Sequence, residues 1–160
     1  MKNLKGSLKI GRLALDTSVI VEYIVEGSEF EELVSKLLEG RLNVELYVNP
    51  VTLSEVLYVA ERIYRVAGIK NSNARALEFI LWLENKVKMV EVDEFLWKTA
   101  GEIKKIFHIS LPDAYAIATG IKIQGKTLFR KAEKEMEKKK EELMKKGVIF
   151  LDELSKFFLT

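Results

Sequence analysis

Cysteine is absent from this sequence, which excludes disulfides and thiolate-held metals. There is one histidine, His108, so a histidine-rich metal centre is excluded as well. A metal, if the protein uses one, must be held mainly by oxygen ligands, and that points to Mg²⁺ or Mn²⁺. Long apolar runs are missing too, and the apolar residues are too interrupted for a membrane span. No charged-then-apolar leader with a cleavage site is seen, so the expectation is a cytoplasmic protein that is not secreted. Strong charge of one sign is also lacking. The 26 Lys and Arg against 24 Asp and Glu leave a net charge of +2, which by itself does not argue for nucleic-acid binding. There are only two prolines, Pro50 and Pro112. Few prolines, no cysteine and many Glu and Lys residues form a composition that suits a thermophile.

What remains is globular. The 160 residues, 48% hydrophobic and 31% charged, are enough for a real core and read as one domain over 1–160. Residues 1–11 are polar and basic, and a flexible lead-in is expected there. An apolar run from Arg12 to Leu15 reads as a buried strand, and Thr17 or Ser18 can cap a helix over 19–25. A second helix is expected over 28–39, closed by Gly40. "VELYVNP" reads as a strand ending before Pro50, and the helical spacing after it runs to Gly68. "NSNARALEFILWLENK" reads as a helix and "VKMVEV" as a strand. "DEFLWKTAGEIKKIF" reads as a helix opened by Asp93, and "SLPDAYAIATGIKIQG" as one with Pro112 in its first turn. "KTLF" and "VIFL" read as the last strands, separated by a highly charged helix over 131–146 in which Glu141–Lys145 and Glu142–Lys146 can pair. Strands alternate with helices throughout. The expectation is a three-layer α/β/α sandwich around a mostly parallel sheet.

In such a sheet ligands gather at the carboxyl ends of the strands. Asp16 ends the first strand, Glu55 follows the second, and Asp113 follows Pro112 at a helix start. Glu133 begins the segment after "KTLF". Each acid has an ordinary explanation, since acids favour helix N-termini and exposed helix faces. Taken together they approach one mouth of one sheet. Carboxylates brought close repel and raise one another's pKa, and a divalent cation removes that problem. A metal held this way can activate water and neutralise a phosphodiester's developing charge.

Three blocks carry a resemblance. "LALDTSVIVEYI" (13–24), "VNPVTLSEVLYV" (48–59) and "SLPDAYAIATGIKIQGKTLF" (110–129) resemble, in order and spacing, the motifs of the PIN-domain family, the fold of many prokaryotic VapC-type toxin ribonucleases. The resemblance implies a parallel-sheet α/β sandwich, Mg²⁺- or Mn²⁺-dependent cleavage of RNA to 5′-phosphate and 3′-hydroxyl ends, and a homodimer or higher oligomer. A toxin would also have an antitoxin protein partner. Carried over by position, Asp16, Glu55 and Asp113 would be the catalytic, metal-binding acids, and Ser18 the small polar residue that hydrogen-bonds within the site. The fourth block departs from the pattern. Arg130 and Ala132 in "LFRKAEKE" stand where family members often have Thr-x-Asp, and Glu133 is the nearest substitute for the missing acid.

Arg12, Arg130 and Lys131, with Lys134, are the candidate RNA contacts. Trp82, Trp97, Phe79 and Phe107 stand at helical spacing among Leu and Ile, which suits core or interface residues better than base-stacking platforms. Two other readings stay open. One is a phosphatase of the haloacid dehalogenase type, against which Ser18 counts, because that pattern has a second Asp there. The other is a PIN-like module that binds RNA or protein in RNA processing with weakened catalysis, and Ala132 supports it.

Overall fold

The computed structural model describes residues 10–158, with side-chain environments through Leu154. Most of the expected lead-in, residues 1–9, lies outside the described residues. Strand β1 (Arg12–Leu15) is followed at once by a short helix α1 (Thr17–Ile20), which tightens into a single 3₁₀ turn over Val21–Tyr23. Then come α2 (Glu31–Leu38), β2 (Glu45–Val48), α3 (Pro50–Val66) and α4 (Ser72–Glu84). The chain continues through β3 (Lys88–Met89), α5 (Glu94–Phe107), α6 (Leu111–Lys122) and β4 (Lys126–Phe129). It ends with α7 (Lys134–Glu137), α8 (Lys140–Lys145), β5 (Val148–Phe150) and α9 (Leu151–Phe158).

The five strands form one sheet in the order β3-β2-β1-β4-β5, and every pairing is parallel. β1 is central, with Ala14 opposite Tyr47 of β2 on one side and Thr127 of β4 on the other. Successive strand residues face opposite ways, so the sheet divides two cores. Leu13, Leu15, Leu46, Val48 and Leu128 pack with α1 to α4 and α9 on one face. Phe129, Val148 and Phe150 pack with α5 to α8 on the other. This is the expected three-layer architecture. Among the described residues, no helix is long and apolar enough to cross a membrane.

Several elements differ from the sequence expectation. The strand read from "VKMVEV" pairs only at Lys88 and Met89, because β3 is an edge strand with both residues exposed. The helix expected from 28 begins at Glu31, after a turn in which Ser28 Oγ donates to the Glu22 carbonyl at 3.1 Å. The charged helix over 131–146 is broken in two. Its lysines are drawn to separate partners across the break: Lys139 Nζ donates to the Ile106 carbonyl at 3.0 Å, and Lys140 pairs with Glu153 at 2.7 Å. Among the described residues, neither the Glu141–Lys145 nor the Glu142–Lys146 pair forms, and Lys146 lies just past the end of α8. Phe79 and Phe107 are buried as core residues, Trp82 stacks on Tyr23 with ring centres 4.6 Å apart, and Trp97 is half exposed.

Helix α6 lies directly on β1, β2 and β4, and the close approach depends on Gly120. A Cβ there would fall 2.0 Å from Thr127 Oγ1, a buried hydroxyl that donates to the Ala116 carbonyl at 3.3 Å. Gly120→Ala is expected to cost about 2–3 kcal/mol through overpacking. Gly101→Ala, in α5 where an added Cβ meets nothing within 4 Å, should instead stabilise by up to ~1 kcal/mol from helix propensity. Urea denaturation of the two variants checks both signs.

Candidate metal centre at the mouth of the sheet

The parallel sheet delivers chain to one edge. Asp16 is the first residue past β1, and its N–H extends the ladder by donating to the Leu128 carbonyl at 3.0 Å. Its backbone then turns as the N-cap of α1. Oδ2 accepts from the Ser18 N–H at 3.0 Å and from Ser18 Oγ at 2.6 Å. Asp16 rather than Thr17 or Ser18 is therefore the cap, and the capping side chain is the same one that is a candidate metal ligand. The residue is only 5% exposed.

Glu55 arrives on α3. That helix begins at Asn49, where β2 ends, with Pro50 in the first turn as its fixed φ and missing N–H allow. Asn49 is fully buried and makes three bonds. Oδ1 accepts from the Thr52 N–H at 2.9 Å, while Nδ2 donates to Thr119 Oγ1 at 2.8 Å and to the Tyr115 carbonyl at 3.2 Å. Those bonds tie the start of α3 to α6 and set Glu55, half-buried, toward the helix that carries Asp113. The sequence reading did not single out Asn49. The Asn-Pro pair at the end of a strand was the available signal.

Asp113 lies in the first turn of α6. Ser110 caps that helix by accepting from the Asp113 N–H at 3.3 Å. Glu133, exposed, is the N-cap of α7, immediately beyond the connection that leaves β4.

Electrostatics join the four acids. Burial pushes the Asp16 carboxyl up to about 6, against the Ser18 bonds that lower it, and the charge of Glu55 raises it further. Burial also pushes Asp113 up, to about 8, with Asp16, Glu133 and Glu55 all adding repulsion. Among the described residues, none of the four carboxylates has an ion-pair partner. As the side chains stand, no three acids among those residues are gathered closely enough to enclose an ion. The donor set is nevertheless all carboxylate oxygen with an uncompensated negative charge, which fits a hard divalent cation.

The basic candidates fall differently. Arg12 opens β1, at the opposite end of the strand from Asp16, where Nη1 donates to the Ile123 carbonyl at 3.1 Å. It is not at the mouth. Arg130 and Lys131 are near it but engaged, Arg130 with Glu22 and Lys131 with Glu29 at 2.8 Å. Glu22, a buried acid inside the "LALDTSVIVEYI" stretch, is the other residue the sequence reading passed over. Its place four residues after Ser18 was the signal.

Comparison with known proteins agrees with this fold. A model of the PIN domain matches residues 13–151. No curated protein sequence matches significantly. Among solved structures, the chain is similar to the protein PAE2754 from Pyrobaculum aerophilum, with 15% identity, 93% of this chain and 90% of that one covered, and a TM-score of 0.61. It is similar to a toxin-antitoxin complex from Klebsiella pneumoniae at 15% identity, with coverages of 86% and 95% and a TM-score of 0.59. It is also similar to VapC20 from Mycobacterium tuberculosis, described as a sarcin-ricin loop cleaving toxin, at 17% identity, with coverages of 71% and 85% and a TM-score of 0.55. At these identities the likeness is one of fold.

The raised carboxyl pKa values set a direction for stability. A group held above its unfolded value contributes fully below that value and loses its contribution as pH rises through the folded one. For Asp16 and Asp113 the loss spans from 3.8 up to about 6 and about 8. With EDTA present, the melting temperature should fall by several degrees between pH 5 and pH 8.5 (~3 units). Mn²⁺ should restore it at the upper end, and Asp113→Asn should flatten the fall.

Proposed function

The chain belongs to the PIN domain family, and we propose that it is a divalent-metal-dependent ribonuclease. The observation that carries this reading is the pairing of buried Asp16 and Asp113, with no ion-pair partner among the described residues, and with Glu55 close enough to repel both and Glu133 close enough to repel Asp113. Asp16, Glu55 and Asp113 would hold Mg²⁺ or Mn²⁺, with Glu133 as the outer ligand where the family pattern has an Asp. Such an ion supplies charge neutralisation and a lowered pKa for bound water.

The chain's own residues do the rest. Ser18 orients the Asp16 carboxylate, and Ser110 holds the Asp113 backbone at the start of α6. Lys131, with its side chain 43% exposed at the rim, and exposed Lys134 meet RNA phosphates. Arg12 is not carried into the proposal because of its position. Likeness to VapC20 and to toxin-antitoxin complexes supports the toxin of a toxin-antitoxin pair as the biological setting, with an antitoxin protein as partner and a cytoplasmic location. Tyr58 and Val66, 64% and 82% exposed on one stripe of α3, support a homodimer. A second reading, a binding module with weakened catalysis, is favoured by Ala132 and by the exposure of Glu133.

A labelled RNA should be cleaved with Mg²⁺ or Mn²⁺ and left intact with EDTA. Asp16→Asn or Asp113→Asn should lower kcat about a hundredfold or more, and Glu133→Gln about tenfold. Cleavage unchanged in the Asp variants would sink the assignment. RNA binding without Mn²⁺ binding in calorimetry would favour the module. Val66→Glu should shift the protein toward monomer in light scattering without loss of fold.

A further inference from the structure

Glu22 is a carboxylate that nothing above uses. It sits in the 3₁₀ turn after α1, 5% exposed, four residues past Ser18 and so on the same side of that helical segment. Both residues meet Arg130, the first residue after β4. The Arg130 backbone N–H donates to Ser18 Oγ at 3.1 Å, and its Nε donates to Glu22 Oε1. Nη2 lies 3.8 Å from Glu29 Oε2, and the guanidinium carbon is 5.4 Å from the centre of the Phe30 ring. The second Glu22 oxygen accepts from the Phe30 N–H at 3.3 Å. The Arg130 carbonyl accepts from the Leu151 N–H at 3.1 Å. Arg130 is thus fixed through its side chain and through both polar groups of its backbone.

The consequence reaches Asp16. A serine hydroxyl has one proton and rotates to suit its neighbours. A backbone N–H can only donate, so it takes a lone pair of Ser18 Oγ and leaves the proton free to point elsewhere. That proton goes to Asp16 Oδ2, 2.6 Å away. The Arg130 side chain runs along α1 toward Glu22, not toward the other acids, so a substrate contact is not its role in this arrangement. Stability alone is a weak reason to bury such a pair, since apolar replacements of similar volume are often neutral or better. Directional bonds from a planar guanidinium do fix orientation.

We propose that Glu22 and Arg130 form a positioning pair for the metal centre: they hold the Arg130 N–H on Ser18 Oγ, which aims the Ser18 hydroxyl at Asp16 and fixes that carboxylate. This rests on the metal-binding reading of Asp16 above.

The test is the double variant Glu22→Leu/Arg130→Met, which removes both charges and keeps apolar volume, so that the fold is retained. It is compared with wild type by NMR amide exchange, Mn²⁺ calorimetry and RNA kinetics. The Arg130 N–H should exchange about tenfold faster or more, and Mn²⁺ affinity should fall about tenfold, as for other residues that orient a metal ligand. The Thr127 N–H, bonded to the Gly147 carbonyl at 3.0 Å on the same strand, should keep its protection. In RNA cleavage kcat should fall with KM unchanged, and Arg130→Lys should retain more activity than Arg130→Met. Wild-type protection and wild-type Mn²⁺ affinity in the double variant would overturn the positioning pair alone. A raised KM with unchanged kcat would overturn it too, by marking Arg130 as an RNA contact. Wild-type protein that binds no Mn²⁺ would overturn the metal-binding reading, and the proposal with it.

Discussion

The structure turns on carboxylates that are kept from water without a partner charge. Asp16 ends the central strand of a parallel sheet, buried between two cores, and Asp113 comes down beside it from the helix that covers three strands. Removing such charges from water is costly, and repulsion between them adds to the cost. The surroundings meet that cost only in part. Ser18 gives Asp16 two hydrogen bonds, from its N–H and its hydroxyl, while Ser110 caps α6 by accepting from the Asp113 N–H. Burial first, and the charge of the neighbouring acids after it, explains why both carboxyl groups hold their protons above the ordinary range.

Everything around the mouth is arranged to keep these acids where they are. Asn49 caps α3 through Oδ1 and ties it to α6 through Nδ2, which joins the helices that carry Glu55 and Asp113. Gly120 lets α6 press against Thr127, which sets how deep Asp113 sits. On the other side Arg130 joins β4 to α1 through Ser18 and Glu22. The basic residues nearest the mouth are spent on Glu22 and Glu29, not on the four acids. A site built for structural ion pairing would have used them on the acids. The PIN domain match and the fold shared with toxin-antitoxin proteins are consistent with a mouth of this kind, open at the strand ends.

Local rules carried the sequence reading where each element agreed with its tertiary setting. Pro50 and Pro112 marked the starts of α3 and α6 because a helix N-terminus has no use for the missing N–H. Asp93 opened α5 by capping it, as its position before an amphipathic run implied. The rules failed where packing outweighed propensity. The charged run over 131–146 has every local reason to be one helix, yet it must return over the sheet edge from β4 to β5, and it breaks at Lys138 and Lys139. Arg12 looked like a rim residue from its sequence distance to Asp16. A four-residue strand carries it about 10 Å away to the other end of the sheet.

The sequence by itself determined which chemistry is open to this protein. Without cysteine and with one histidine, only oxygen donors are available in number, and the sequence pattern put Asp16 at a strand end and Glu55 and Asp113 in the early turns of helices. Only the tertiary structure decided what each acid does there. Burial, which depends on all the layers together, raised Asp16 and Asp113. Contacts across more than a hundred residues of chain paired Glu22 with Arg130 and gave Ser18 its direction. A local pattern can place Glu22 on the side of the turn that holds Ser18, but it cannot name a partner more than a hundred residues away. Such contacts exist only once a parallel sheet has placed β1 and β4 side by side.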